Sequence, residues 1–150
     1  MSKQEEASLI LELYELRREE TMRKARDWYF RNFYPQSIAE FTEFMMGEHS
    51  GYVRMVVSYW DMAAALVNSG AISQELFTST NGEHLGVFGN FEQLLGEIRT
   101  HFTPQFALNL EKLIDATPDG RKRVAENRER MNAIRAQLAA RQAKSAQQRA

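Results

Sequence analysis

The sequence predicts an all-α protein, a helical bundle of six or seven helices around one central buried helix. Apolar residues cover more than half of a helical wheel drawn for residues 51–69, which is too much apolar surface for a helix exposed to solvent. Elsewhere, apolar residues recur at helical spacing between cap and stop signals. The last 30 residues are rich in Ala, Arg and Gln, which favour a long basic helix.

Composition excludes several classes of protein. The chain has 150 residues and no cysteine, so it contains no disulfide, thiolate metal site or cysteine nucleophile. Its N-terminus is charged, and no apolar run approaches the ~18 residues of a membrane span. We therefore expect a cytoplasmic protein without a membrane segment.

Charge divides the chain in two. Residues 1–120 carry 10 Lys/Arg and 18 Asp/Glu, whereas residues 121–150 carry 9 and 2. We predict a helical body over 1–118 and a basic C-terminal helix over 119–150. A basic helix of this kind can attract nucleic acid, a membrane, its own body or a second subunit.

The N-terminal part of the chain is predicted to be helical. Ser2 and Glu5 form a capping box before a helix over about 3–19. The charged segment 17–27 favours a solvated helix face, and the helix either continues to Asn32 or bends near Glu20. Five aromatic residues within 28–34 indicate a helix end packed into the core, with base stacking or the binding of a planar ligand as the alternatives.

The middle of the chain contains shorter elements. A proline and a serine cap precede a short helix over about 38–46, and Gly70 ends the central helix. Three glycines within 78–89 predict a flexible loop that leads into a helix over 90–102. A glycine-rich loop before a helix can bind an anion, although the spacing matches no phosphate-binding motif.

The last part of the body and the basic helix follow. Thr103 and Pro104 predict the start of a helix, and residues 117–120 break the chain before the basic segment. That segment has a thin apolar seam, formed by Val124, Asn127, Met131, Ile134 and Leu138. A lone helix with so narrow a seam is marginal in water, so we expect it to pack on the N-terminal helix or on a second subunit.

A polar stripe on the central helix is the best candidate site. The candidate ligand-binding residues are Arg54, Ser58, Tyr59, Asp61 and Arg99. If a neighbouring helix covers the stripe, Asp61 needs a partner such as Arg99. Otherwise the stripe either faces water or borders a pocket beside the 81–90 loop, where Arg54 would hold an anionic ligand.

The side chains that could act in catalysis or bind a metal form no recognisable sequence motif. The three histidines lie in different segments, and none of the usual catalytic or metal-binding motifs is present. We therefore predict no catalytic residues, no metal and no cofactor.

Two stretches resemble a known family. ELRREETMRKARDWYF (15–30) and SYWDMAAALVNSGAISQELF (58–77) are similar to small bacterial helical proteins that carry a domain-of-unknown-function label. The resemblance covers roughly residues 9–115 and omits the basic helix. It implies a helical fold and brings no catalytic residues with it.

These observations favour a non-enzymatic scaffold or interaction module, a homodimer assembled through its N- and C-terminal helices. A protein or cryptic enzyme that binds a small anionic ligand is the alternative, and nucleic-acid binding by the basic helix is the third hypothesis.

Overall fold

The computed structural model describes residues 2–149, which contain nine α-helices, one short 3-10 helix and no strand. None of these helices combines the length and the hydropathy needed to cross a membrane. The all-α prediction is confirmed. The helices are α1 (Lys3–Arg18), α2 (Glu20–Asn32), α3 (Ile38–Met46), α4 (Ser50–Asn68), α5 (Gln74–Thr80), α6 (Glu83–Gly89), α7 (Leu95–His101), α8 (Leu108–Ala116) and α9 (Gly120–Arg149), with the 3-10 helix at Glu92–Leu94.

Helix α4 is the centre of the fold, as predicted. It packs against α2, α3, α6 and α8, and its buried side chains are Val53, Val56, Val57, Tyr59, Trp60, Ala63, Ala64 and Val67. One face stays open, because Met55 and Met62 are 36% and 45% exposed. The helix is therefore wrapped on most sides rather than on all.

The described residues contain more helices than the six or seven expected, because residues 74–101 divide into several short elements and the N-terminal segment forms two helices. The expected flexible loop over 78–89 is mostly helical: α5 continues to Thr80 and α6 occupies Glu83–Gly89. The helix expected over 90–102 is a 3-10 turn followed by α7. The helix expected to start at Thr103 begins instead at Leu108, after Ala107 in the left-handed conformation (φ 54°).

The N-terminal helix bends rather than running on to Asn32. Glu19 separates α1 from α2, and its carboxylate accepts hydrogen bonds from the backbone N–H groups of Thr21 (3.0 Å) and Met22 (2.9 Å). These bonds satisfy donors that the start of α2 would otherwise leave free. In the aromatic cluster that ends α2, Tyr29 and Phe33 are fully buried, which confirms its interpretation as core.

Helix α9 packs on α6 and α8. Its Val124 is fully buried in the body, whereas residues 136–149 are exposed throughout. Two glycines of α6 allow the close approach: a Cβ at Gly86 would lie 3.1 Å from Nδ2 of Asn127, and one at Gly89 would lie 3.4 Å from Cγ1 of Val124. The first turns of α9 are therefore part of the body's packing.

Candidate functional site

Three of the five candidate residues border one groove. Arg54, Ser58 and Asp61 lie on the open side of α4, beside a groove of about 590 Å³. We call it the α4 groove; its lining is Phe41, Met45, Arg54, Val57, Ser58, Asp61, Phe102, Thr103, Gln105, Phe106 and Ala107. The groove lies between α4, α3 and the segment 102–107, and not beside the 81–90 segment as the sequence had suggested.

Asp61 caps a neighbouring helix. Helix α8 has no side-chain cap of its own, because Ala107 occupies its N-cap position. Asp61 Oδ1 accepts from the backbone N–H of Leu110 at 2.9 Å, and Oδ2 accepts from the side-chain amide of Asn109 at 3.0 Å. A carboxylate at a helix N-terminus also interacts favourably with the helix dipole. Asp61 thus holds α8 against α4.

Arg99 does not pair with Asp61. Its guanidinium donates to the backbone oxygen of Phe106 at 3.0 Å and forms an ion pair with Glu111 at 2.8 Å. These contacts hold the segment 102–107 over the groove, so Arg99 supports the groove wall without lining it.

Tyr59 lies on a different side of α4 from the groove. Its side chain is 7% exposed, and its hydroxyl donates to the backbone oxygen of Leu13 in α1. Burial raises the pKa of Tyr59 above its usual value. The residue joins α1 to α4 and is remote from Arg54 and Ser58.

A second open surface, the α2–α9 cleft, was not predicted. It has a volume of about 1020 Å³ and is lined by Arg23, Arg26, Asp27, Phe30, Arg31, Tyr34, Glu83, Met131, Ile134, Arg135, Leu138, Ala139 and Gln142. Ile134 and Leu138 are 42% and 51% exposed in it. The sequence predicted that Ile134 and Leu138 form part of the apolar seam of α9. It did not predict that α2 would face them.

A cluster of polar side chains beside this cleft joins α2, α4 and α6. Glu83 of α6 accepts two-pronged hydrogen bonds from Arg26 (2.9 Å from Nε and 2.8 Å from Nη2), and it accepts a further bond from Trp60 Nε1 at 3.1 Å. The hydrogen bonds to Glu83 raise the pKa of Arg26. Arg17 lies over the Trp60 ring at 5.1 Å and donates to Asn81 at 2.6 Å. Part of the charged segment expected to be solvated is therefore bonded inside the fold.

The cations of α9 divide into two groups. Near its start, Arg121 forms ion pairs with Glu92, Glu111 and Asp115, and Arg128 pairs with Glu92 at 2.7 Å. Residues 130–149 contain five Lys/Arg and no Asp/Glu, and none of these five has a carboxylate partner among residues 2–149. Carboxylates of the body thus pair with Arg121 and Arg128 and with none of the Lys/Arg in residues 130–149.

Within the part of the chain that the structure describes, no group of three or more His, Asp or Glu side chains is placed to hold a metal ion.

The described residues form an all-helical protein in which the α4 groove and the α2–α9 cleft are both open to solvent. The chain belongs to the family described as "Domain of unknown function (DUF4760)", whose model matches residues 4–117. This result confirms the resemblance seen in the sequence. The matched span contains α1 to α8 and ends before α9. Searches of curated proteins and of solved structures each found no match.

Proposed function

We propose that the chain is a non-enzymatic interaction module that forms a homodimer through α1 and the distal half of α9. The observation that carries the proposal is the α9 seam, which continues beyond the body. Val124 is buried, whereas Ile134 and Leu138, which lie 10 and 14 residues further along the same seam, are 42% and 51% exposed at the α2–α9 cleft. Exposed apolar residues beside an open cleft are typical of an interaction surface.

The absence of packing on the distal half of α9 indicates that a partner stabilises it. Residues 136–149 form three to four helical turns in which every residue is exposed. Helical stability in proteins comes mostly from tertiary packing, and short helices without it are marginal in water. A second chain along the seam would supply the missing packing.

Charge favours a second copy of α1 as that partner. Residues 5–15 of α1 carry four glutamates and no Lys or Arg, opposite in sign to residues 130–149. The same helix exposes Leu11 (63%) and Tyr14 (49%). Two distal α9 segments would repel each other, whereas α1 and α9 attract, so a two-fold dimer would form this contact twice.

The proposed setting is the bacterial cytoplasm. The cysteine-free sequence and its resemblance to small bacterial helical proteins support this setting.

Light scattering of the full chain tests the dimer. We expect a dimeric mass for the wild type and a monomeric mass for the double variant Ile134→Glu/Leu138→Glu, because both seam residues would then carry charge. Ala136→Glu/Ala140→Glu is the matched control: it adds the same charge to the opposite side of α9 and should remain dimeric. The variant Glu12→Lys should weaken the dimer, as should salt at about 1 M, which screens charges beyond roughly 3 Å.

Three results would contradict the proposal. The first is a monomeric wild type at all concentrations. The second is equal dissociation of the seam variant and its control. The third is a monomer that binds labelled duplex DNA with steep salt dependence, which would favour the nucleic-acid hypothesis instead.

A further inference from the structure

The α4 groove is apolar along its floor. Phe41 meets Phe102 and Phe106 edge-to-face, with ring centroids 5.1 and 5.8 Å apart, and Val57 and Met45 complete the floor. Phe102 is 43% exposed. An aromatic side chain of this size seldom stays exposed beside other apolar groups unless something covers it.

The polar edge of the groove offers one free cation. The side chain of Arg54 lines the groove, and its guanidinium has neither a hydrogen bond nor an ion pair with any side chain or backbone group of residues 2–149. Asp61, the acid on the same edge, is already occupied, because both of its oxygens accept hydrogen bonds from the start of α8. The charge that remains available to a ligand is therefore positive.

We infer that the α4 groove binds a fatty acid, with the apolar chain along the three phenylalanines and the carboxylate on Arg54. A volume of about 590 Å³ is typical of small-molecule sites, which are mostly apolar with a few polar groups that fix orientation. The planar guanidinium matches a carboxylate through two parallel hydrogen bonds. This site is separate from the α1–α9 contact proposed above.

The groove also sets the ligand's direction. Arg54 and Asp61 lie seven residues apart on α4, which is about 10 Å along a helix axis. A carboxylate at the Arg54 end avoids the negative charge of Asp61, whereas the reverse orientation would bring two like charges together. The chain end then lies towards Ala107 and the start of α8.

Binding can be measured by NMR titration of the full-length protein with octanoate, followed on the methyl groups of Met45 and Val57. The uncharged octanol serves as the comparison ligand. We expect Arg54→Gln to weaken octanoate binding roughly tenfold, the effect of losing a charged hydrogen bond, and to leave octanol binding unchanged. Arg130→Gln, which removes an exposed arginine far from the groove, should bind octanoate like the wild type.

A second variant separates binding from folding. Ser58 is exposed and its hydroxyl bonds only within α4, so Ser58→Trp should fold and should fill the groove. We expect it to lose both ligands. The inference is overturned if octanoate shifts neither methyl group, if Arg54→Gln binds octanoate with wild-type affinity, or if the groove methyls shift with protein concentration alone, which would identify a second copy as the occupant.

Discussion

His84 makes the stability of this protein depend on pH. The residue lies on α6 and is 1% exposed, against the rings of Phe77 (5.0 Å) and Trp60 (5.8 Å between centroids). Neither ring nitrogen has a hydrogen-bond partner among the described residues. Burial, with a smaller effect from the charge of Arg123, lowers the pKa of His84 from 6.5 to about 4.

The direction of the effect follows from proton binding. Between pH 6.5 and about 4, the unfolded chain binds a proton at His84 that the folded chain does not. Stability from this site is therefore complete above pH 6.5 and is lost as the pH falls. The lowered pKa corresponds to a loss of about 2 kcal/mol between pH 7 and 5, and of about 3 kcal/mol in all.

Urea denaturation followed by circular dichroism at pH 7 and pH 5 measures this loss. We expect His84→Leu to lose about 2 kcal/mol less than the wild type between the two pH values, because the leucine binds no proton. His101→Gln is the control: His101 is exposed, so this variant should follow the wild type. Equal losses in the wild type and in His84→Leu would refute the argument that His84 is buried uncharged.

Two further substitutions test the packing around α8, and a third, at the start of α4, is their control. Asp61→Ala should cost about 2 kcal/mol of unfolding free energy, because Leu110 loses its capping oxygen; thermal melts that match the wild type would contradict this. Gly120→Ala should destabilise the protein by at least 1–3 kcal/mol, the typical cost of overpacking, since a Cβ there would lie 2.0 Å from the backbone oxygen of Ile114. Gly51→Ala, where nothing lies within 4 Å, should be neutral or stabilising by about 0.5–1 kcal/mol.

The elements that the sequence predicted correctly are those determined by residues close to them in the sequence. Ser2 and Ser37 each accept a hydrogen bond from a backbone N–H three residues on, so each cap and its helix lie within one short stretch. Gly70 ends α4 in the left-handed conformation (φ 87°), as its position indicated. The buried side of α4 follows in the same way from the spacing of its own apolar residues.

The flexible loop predicted over 78–89 is wrong, because the glycines there are required by contacts with another helix. Glycine indicates a flexible loop when only its neighbours in sequence are considered. Here Gly86 and Gly89 sit inside α6, where the absence of a side chain leaves room for Asn127 and Val124 of α9. The requirement comes from residues about 40 positions away, and a local pattern does not contain it.

At the candidate site, too, a contact between distant segments decides a helix start that the local sequence does not predict. Thr103 and Pro104 form a good local helix start, yet α8 begins at Leu108, where a carboxylate from α4 supplies the cap. The residues in between, 103–107, are then free to lie over α4 as one wall of the groove. The delayed helix start and the groove therefore share a cause, since a helix that began at Thr103 would not place Phe106 and Ala107 in the same positions. The polar stripe was visible in the sequence. The use of Asp61 as a cap depends on how α8 packs on α4, and the sequence did not predict that packing. Because Asp61 is used in this way, Arg54 is the charge that remains free.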